Sequence, residues 1–191
     1  RETFELAGIS PQDVYEVNTV SQAEKAIQQG KYAVTEDFEI VTKVLPVDVI
    51  IEATGVPEVG ANTALKSIYN GKHVVMLNVE ADVTVGPILK KMADSAGIVY
   101  TGSAGDEPGA IKELFDFADS MGFKVVAAGK GKNNPLNREA NPDNMRPEAE
   151  KRGINPRMLT SFVDATNTMV ELTAVANATG LIPSCRGLVG P

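Results

Sequence analysis

The chain has 191 residues, 43% of them hydrophobic, and its 18 Lys and Arg against 25 Asp and Glu give a net charge of −7. This composition allows one large or two small domains with a real core. It argues against nucleic acid as a partner, and no apolar run approaches the roughly 20 residues of a membrane-spanning helix. The single cysteine and single histidine exclude an internal disulfide and a multi-histidine zinc site, fit a reducing cytoplasm, and leave a carboxylate-bound divalent metal open.

Apolar runs alternate with longer helical patterns along the first two-thirds of the chain. Strands are predicted at residues 32–35, 47–52, 73–77, 98–100 and 123–128, and helices at 21–30, 37–45, 57–69, 86–96 and 108–121. Such alternation is typical of βαβ units, and uniformly apolar strands indicate helices on both faces of a parallel sheet. We therefore predict an α/β fold, Rossmann-like, with a mostly parallel sheet. Residues 130–156 are polar and irregular, and a final helix is predicted over residues 157–179.

Candidate site residues follow the last four of the five predicted strands. They are Ala53, Thr54 and Gly55 after the first, Asn78 and Glu80 after the second, Asp106 and Glu107 after the third, and Lys130, Lys132 and Asn133 after the fourth. Ligands of open parallel sheets bind outside the carboxyl ends of the strands. If all four strands are parallel, these groups converge on one rim.

Each of these groups also has a plainer interpretation. The loop at residues 129–137 contains two glycines, two lysines and three asparagines, which suit either an anion-binding site or a solvated surface turn. The segment 53–55 can be an ordinary strand-to-helix turn. The carboxylates of Glu80, Asp106 and Glu107 can favour helix N-termini or serve in acid–base chemistry and metal binding.

Two segments carry a family resemblance. Residues 49–55 (Val-Ile-Ile-Glu-Ala-Thr-Gly) and 71–78 (Gly-Lys-His-Val-Val-Met-Leu-Asn) resemble the second half of the homoserine dehydrogenase dinucleotide-binding domain. The closer resemblance is to homoserine dehydrogenase-like proteins that carry a C-terminal SAF domain in their complete form, and it covers nearly all of the chain. One branch of that group is the deoxyxylulose phosphate reductoisomerase-like enzymes, which use NADPH in isoprenoid synthesis.

The chain departs from homoserine dehydrogenases at two positions. Val79 follows Asn78 where they have a lysine, and Thr168 stands four residues after Asp164 where they have another. No GxGxxG precedes residue 52, and the resemblance implies that this N-terminal Gly-rich unit stands upstream of Arg1. Residues 1–102 would then be the remainder of a dinucleotide-binding domain. Residues 103–191 would be part of an α+β catalytic and substrate domain with the long loop 130–156.

The resemblance implies an NAD(P)H-dependent oxidoreductase that transfers hydride to or from a small phosphorylated or carboxylated keto or hydroxy compound. NADP is the expected cofactor, with NAD as the alternative, and a cytoplasmic homo-oligomer is expected. A non-catalytic domain that senses a nucleotide or metabolite on the same fold is the alternative function, because both family lysines are missing.

The implied roles follow the strand ends. Ala53, Thr54, Gly55 and Asn78 would bind the cofactor. Lys130 or Lys132 would polarise the substrate carbonyl, and Asn133 would orient the substrate. Glu80, Asp106 and Glu107 would transfer protons or bind a divalent metal.

Overall fold

The computed structural model describes residues 1–186, and the chain divides after Thr101 into two compact units. The elements up to that point are α1 (Glu2–Leu6), β1 (Val14–Glu16), α2 (Val20–Gln28), β2 (Tyr32–Val34), α3 (Phe38–Lys43), β3 (Val49–Glu52), α4 (Pro57–Tyr69), β4 (His73–Met76), α5 (Val79–Ser95) and β5 (Tyr100–Gly102), whose last residue opens the second unit. The second unit contains α6 (Glu107–Ser120), α7 (Arg146–Arg152), α8 (Pro156–Val163) and α9 (Thr166–Thr179).

Parallel strand pairs organise the first unit. Strands β1 and β2 pair in parallel with Val14 opposite Tyr32, and β3 and β4 pair in parallel with Val49 opposite His73. The second sheet has the strand order β3-β4-β5. The predicted α/β, Rossmann-like fold is therefore confirmed. Strand β1 was not predicted, because its three residues are too few to show a period.

The main core of the first unit lies between the β3-β4-β5 sheet and helices α4 and α5. Val74 and Met76 of β4 are buried with Ala64 of α4 and Leu89 of α5 in one cluster. Burial of a side chain such as Val74, which is 0% exposed, contributes roughly 1.5–3 kcal/mol. This packing holds the carboxyl ends of β3 and β4 beside the N-termini of the helices that follow them.

Helix α5 begins at Val79, seven residues before the predicted start at residue 86. Asn78 caps it by accepting a hydrogen bond from the Ala81 N–H at 3.1 Å. Gly86 and Pro87, which suggested a helix start, instead lie inside the helix. A Cβ at Gly86 would come within 2.2 Å of Asp82 Oδ1, so close packing rather than a turn requires this glycine. Asn78, Glu80 and Asp82 therefore belong to the start of α5.

Between α6 and α8, the second unit differs from the sequence prediction at two places. Residues 123–128, predicted as a strand, form no strand in the described structure. A strand needs a neighbour to satisfy its backbone groups, and the apolar run finds none among residues 1–186. The segment 130–156, predicted as irregular, contains α7.

The predicted helix at residues 157–179 is two helices, α8 and α9, separated at Ala165. Ala165 has a φ of 74° and is the one non-glycine residue with positive φ in the described part of the chain. Beside it, Asp164 Oδ1 accepts a hydrogen bond from the Thr166 N–H at 2.8 Å. A left-handed alanine is strained, and the aspartate hydrogen bond stabilises the first turn of α9.

Candidate active site

In the first unit, the loop between β3 and α4 is held by its own hydrogen bonds. Glu52 Oε1 accepts from the Thr54 N–H at 3.0 Å, and Thr54 Oγ1 accepts from the Val56 N–H at 3.3 Å. Gly55 has a φ of 66°, a conformation that glycine adopts without strain. Ala53, Thr54 and Gly55 are exposed, so the loop presents an ordered backbone to solvent at the carboxyl end of a parallel strand.

Asn78 fixes this loop from the neighbouring strand. Its side-chain amide donates to the Val56 carbonyl at 3.0 Å and to Thr54 Oγ1 at 3.5 Å, while its oxygen caps α5. Asn78 is 0% exposed. The structure thus brings Thr54 and Asn78 together, as the strand-end argument predicts. The Asn78 side chain is buried and hydrogen-bonds to the loop, so it is not exposed to solvent.

The loop has the features that a nicotinamide dinucleotide needs. A Cβ at Gly55 would meet no atom within 4 Å, so a ligand can approach the backbone there. Helix α4 begins next to it at Pro57 with no side-chain cap on its first N–H groups, and such N–H groups favour phosphate oxygens. The residues present therefore fit the cofactor.

The carboxylates that follow β4, those of Glu80 and Asp82, lie in the first turn of α5. Glu80 is half-buried in the first turn of α5, where a negative charge favours the helix dipole. Asp82 accepts a hydrogen bond from the Tyr100 hydroxyl at 2.9 Å. Burial raises the pKa of Asp82 above its ordinary value, and the hydrogen bond from Tyr100 acts against that rise. The contacts of this part of α5 are those of a packed helix start.

In the second unit, Lys130 lies between two carboxylates. Its ammonium donates to Glu107 Oε1 at 2.8 Å and to Glu171 Oε2. The side chains of Lys130 and Glu171 are 12% and 6% exposed, whereas that of Glu107 is 47% exposed. Asn167 donates to the other oxygen of Glu171 at 2.6 Å. Each group in the cluster is therefore fixed by at least one charge-assisted hydrogen bond.

These contacts set the protonation states. Burial lowers the pKa of Lys130, but hydrogen bonds and the charges of Glu107 and Glu171 outweigh burial and raise it above its ordinary value. The hydrogen bond from Lys130 lowers the pKa of Glu107. Burial raises the pKa of Asp106, and the neighbouring Glu107 raises it further. Lys130 is therefore an ammonium at neutral pH, and Asp106 holds a proton more readily than an ordinary aspartate does.

Lys130 also lines a cavity of the second unit with a volume of about 1040 Å³. The wall mixes cationic, hydroxyl and apolar side chains, among them Lys132, Arg138, Thr166, Thr168, Leu172 and Arg186. The strained Ala165 lies in the same wall. A cavity of this size can enclose a small organic molecule, and its cations suit an anionic substituent.

The other predicted residues of the lysine loop stand apart from the carboxylate cluster. Lys132 donates to the backbone carbonyl of Phe162 in the last turn of α8. Asn133 is exposed, and its neighbour Asn134 lines the cavity instead. The segment before this loop is not a strand in the described structure, yet Lys130 still meets Glu107, which follows β5.

Glu171 is the site residue that sequence reasoning did not select. It lies on α9, 41 residues from Lys130. The available signal was its position: Leu172 and Val175 mark the inner side of α9, and a carboxylate beside apolar neighbours calls for a partner.

Asp106, Glu107 and Glu171 offer carboxylate oxygens within 4.8 Å of one another, a spacing that a divalent cation can bridge. The Lys130 ammonium already contacts Glu107 and Glu171. A cation bound between Glu107 and Glu171 would have to displace that ammonium, which already occupies the position.

Of the helices in the described part of the chain, none has the length and apolar character to cross a membrane.

Residues 2–100, just over half of the chain, match the family described as homoserine dehydrogenase, NAD binding domain. Residues 105–191 match the family described as oxidoreductase DRL, catalytic domain. No curated protein sequence matches significantly.

Proposed function

Because the chain belongs to the homoserine dehydrogenase NAD-binding family, and so to the homoserine dehydrogenase-like NAD(P)-dependent oxidoreductases, we propose that it acts on a small keto or hydroxy compound that carries a phosphate or carboxylate. The observation that supports this most is Lys130, an ammonium fixed between Glu107 and Glu171 in the wall of the large cavity. The nicotinamide cofactor donates or accepts the hydride.

Lys130 would act on the substrate oxygen. A fixed ammonium in the cavity wall stabilises the alkoxide that forms when a carbonyl is reduced, and it does so without reorganisation. Its raised pKa makes it a hydrogen-bond donor rather than a base. Glu107 and Glu171 hold it in place, and neither needs to touch the substrate.

Asp106 would exchange the proton. A carboxyl group whose pKa is raised by burial and a neighbouring carboxylate spends more of its time protonated at mildly acidic pH, as general acid catalysis requires. Its carboxylate oxygen lies within 4.8 Å of oxygens of Glu107 and Glu171. A proton released to the alkoxide can therefore be replaced through the same cluster.

The cofactor would lie on the β3–α4 loop of the first unit, at Ala53, Thr54 and Gly55, which Asn78 holds from behind. We propose NADPH rather than NADH, on the resemblance to the reductoisomerase-like branch. In this assignment residues 1–102 are the dinucleotide-binding part and residues 103–191 are part of the catalytic domain.

The substrate class follows from the cavity. Lys132, Arg138 and Arg186 contribute positive charge to its wall in a protein whose net charge is −7, so an anionic substituent has a defined place to bind. We propose a sugar-phosphate substrate of the deoxyxylulose phosphate type, in isoprenoid synthesis, by a cytoplasmic homo-oligomer with a SAF domain.

The test is a substrate panel with the full-length protein. Phosphorylated and carboxylated keto compounds, including deoxyxylulose phosphate, are offered with NADPH and with NADH, and cofactor absorbance is followed. Each is paired with its uncharged analogue. We expect turnover with a charged member and at least tenfold lower kcat/KM with its analogue, because the cavity cations lose their partner. Equal rates with both would contradict the proposed substrate class.

A second candidate function is a sensor that binds a nucleotide or metabolite without catalysis. It is favoured by Val79 and Thr168, which stand where homoserine dehydrogenases carry lysines. Cofactor binding by calorimetry, together with no hydride transfer to any member of the panel, would support the sensor over the enzyme.

A further inference from the structure

Glu52, the last residue of β3, has a buried carboxyl group of which one oxygen is unpaired. Glu52 is 2% exposed. Oε1 accepts the hydrogen bond from the Thr54 N–H at 3.0 Å. Oε2 is buried and has no hydrogen-bond partner among the residues that the structure describes. Buried polar atoms in folded proteins are nearly always paired, so this atom calls for an explanation.

The neighbourhood is arranged to admit this carboxyl group. A Cβ at Gly60 of α4 would lie 2.9 Å from Glu52 Oε2 and 2.5 Å from Asn78 Nδ2. Glycine at this position thus lets α4 sit directly against both polar side chains. The packing accommodates Glu52 and Asn78 together, and these are the two side chains that fix the β3–α4 loop.

Stability alone does not account for Glu52. Along β3 the side chains of Ile50 and Glu52 are buried, so an apolar residue at position 52 would continue the core. Burying a carboxyl oxygen without a partner costs free energy that an apolar side chain of similar size avoids. Residues whose side chains lower the stability of the fold are expected at functional positions.

We infer that Glu52 is a positioning residue for the loop Ala53 to Val56, retained at a cost in stability because it fixes the Thr54 N–H of that loop. The inference rests on the proposed function, in which this loop binds the nicotinamide cofactor. Oε1 accepts a hydrogen bond from the Thr54 N–H. Thr54 Oγ1 in turn accepts hydrogen bonds from the Val56 N–H and from the Asn78 side-chain amide, and together these bonds hold the loop backbone in one conformation. Glu52 itself is buried beneath the loop and acts through Thr54.

Three variants of the full-length protein test this role. Glu52→Met removes the acceptor and fills the space, Glu52→Gln keeps an acceptor oxygen, and Glu5→Met alters an exposed carboxylate on the first turn of α1 as the control. Measurements are the Tm, hydrogen exchange of the Thr54 amide in the cofactor-free protein, and the Kd for NADPH by fluorescence.

We expect Glu52→Met to keep or raise the Tm, to speed exchange at Thr54 by roughly tenfold or more, and to weaken NADPH binding roughly tenfold, because one hydrogen bond that orders the loop is lost. Glu52→Gln should restore both properties to within about threefold. The Glu5→Met control should change neither.

Three results would overturn the inference: unchanged Thr54 exchange in Glu52→Met, a lowered Tm or loss of folding in that variant, or a Glu52→Gln variant as impaired as Glu52→Met. Failure of the wild-type protein to bind NADPH or NADH would instead overturn the proposed function. The exchange rate at Thr54 then still decides the positioning role, since it is measured without cofactor.

Discussion

Lys130 and Glu171 form an ion pair from which solvent is largely excluded, with side-chain exposures of 12% and 6%. The two residues come from a loop and from α9, 41 positions apart. Breaking one half of a buried ion pair leaves an uncompensated charge. The pair therefore gives the second unit a fixed ammonium, held by the buried Glu171 together with the more exposed Glu107.

Replacing Glu171 by Gln should lower kcat/KM by about 10- to 100-fold, because the ammonium loses one of its two anchors and small misplacements of a catalytic group are costly. Glu113→Gln, an exposed carboxylate on α6, is the control and should leave kcat/KM unchanged. Steady-state kinetics with the best substrate of the panel measure both. A Glu171→Gln variant with wild-type kcat/KM would show that Glu107 alone fixes Lys130.

The Glu107–Lys130 pair predicts a pH dependence of stability. The hydrogen bond from Lys130 holds the pKa of Glu107 below its ordinary value of 4.5. A depressed folded-state pKa means that the contribution is present above about pH 4.5 and is lost as the pH falls through the lowered pKa. The free energy of unfolding should therefore differ between wild type and Glu107→Gln at neutral pH, and the difference should shrink on acidification.

We expect this difference to be about 1 kcal/mol or less at neutral pH, since Glu107 is about half exposed and solvent screens the pair. Urea unfolding at a series of pH values below 7 measures it. A difference that grows as the pH falls below 4.5 would contradict the assigned sign.

Asn78 should be important for stability as well as for the loop. Asn78→Ala removes the cap of α5 and leaves the Val56 carbonyl without its amide donor. The expected loss is about 2–3 kcal/mol in the free energy of unfolding, measured by urea denaturation. Asn18→Ala, at an exposed position, should change the free energy by less than about 0.5 kcal/mol. Equal small losses in both variants would mean that the Asn78 hydrogen bonds contribute little.

Lys132 should prove different from Lys130, although both lie in the same loop. Its ammonium donates to the Phe162 carbonyl at the end of α8. Lys132→Met should lower the free energy of unfolding by about 1–2 kcal/mol, because a hydrogen bond from a charged group is lost, and should reduce kcat by less than tenfold. A larger loss of kcat than in Lys130→Met would assign the carbonyl-polarising role to Lys132 instead.

The parallel architecture was predictable because β3 and β4 are apolar runs bounded by turn residues, which periodicity detects directly. The junction at Thr54 and Asn78 was predictable for the same reason, since the carboxyl ends of adjacent parallel strands meet. The burial of Asn78 was not, because whether an amide at a strand end is open or enclosed depends on how the next helix packs, here through Gly60.

Part of the carboxylate cluster was predictable from the sequence, and part of it was not. Asp106, Glu107 and Lys130 were selected as groups after strands, and they do come together. The reason given for Lys130 was wrong, since residues 123–128 form no strand in the described structure. Its actual anchor is Glu171, a tertiary contact across 41 residues that no local pattern encodes.

The central claim is that the Lys130 ammonium stabilises the developing alkoxide. The most direct test is the kcat for NADPH-dependent turnover of the best panel substrate by full-length Lys130→Met. The control is Lys124→Met, which changes an exposed lysine six residues before Lys130. We predict that kcat falls by about 10²–10³ in Lys130→Met, with an unchanged Kd for NADPH, and that Lys124→Met matches wild type. A Lys130→Met enzyme with the wild-type kcat would contradict the account.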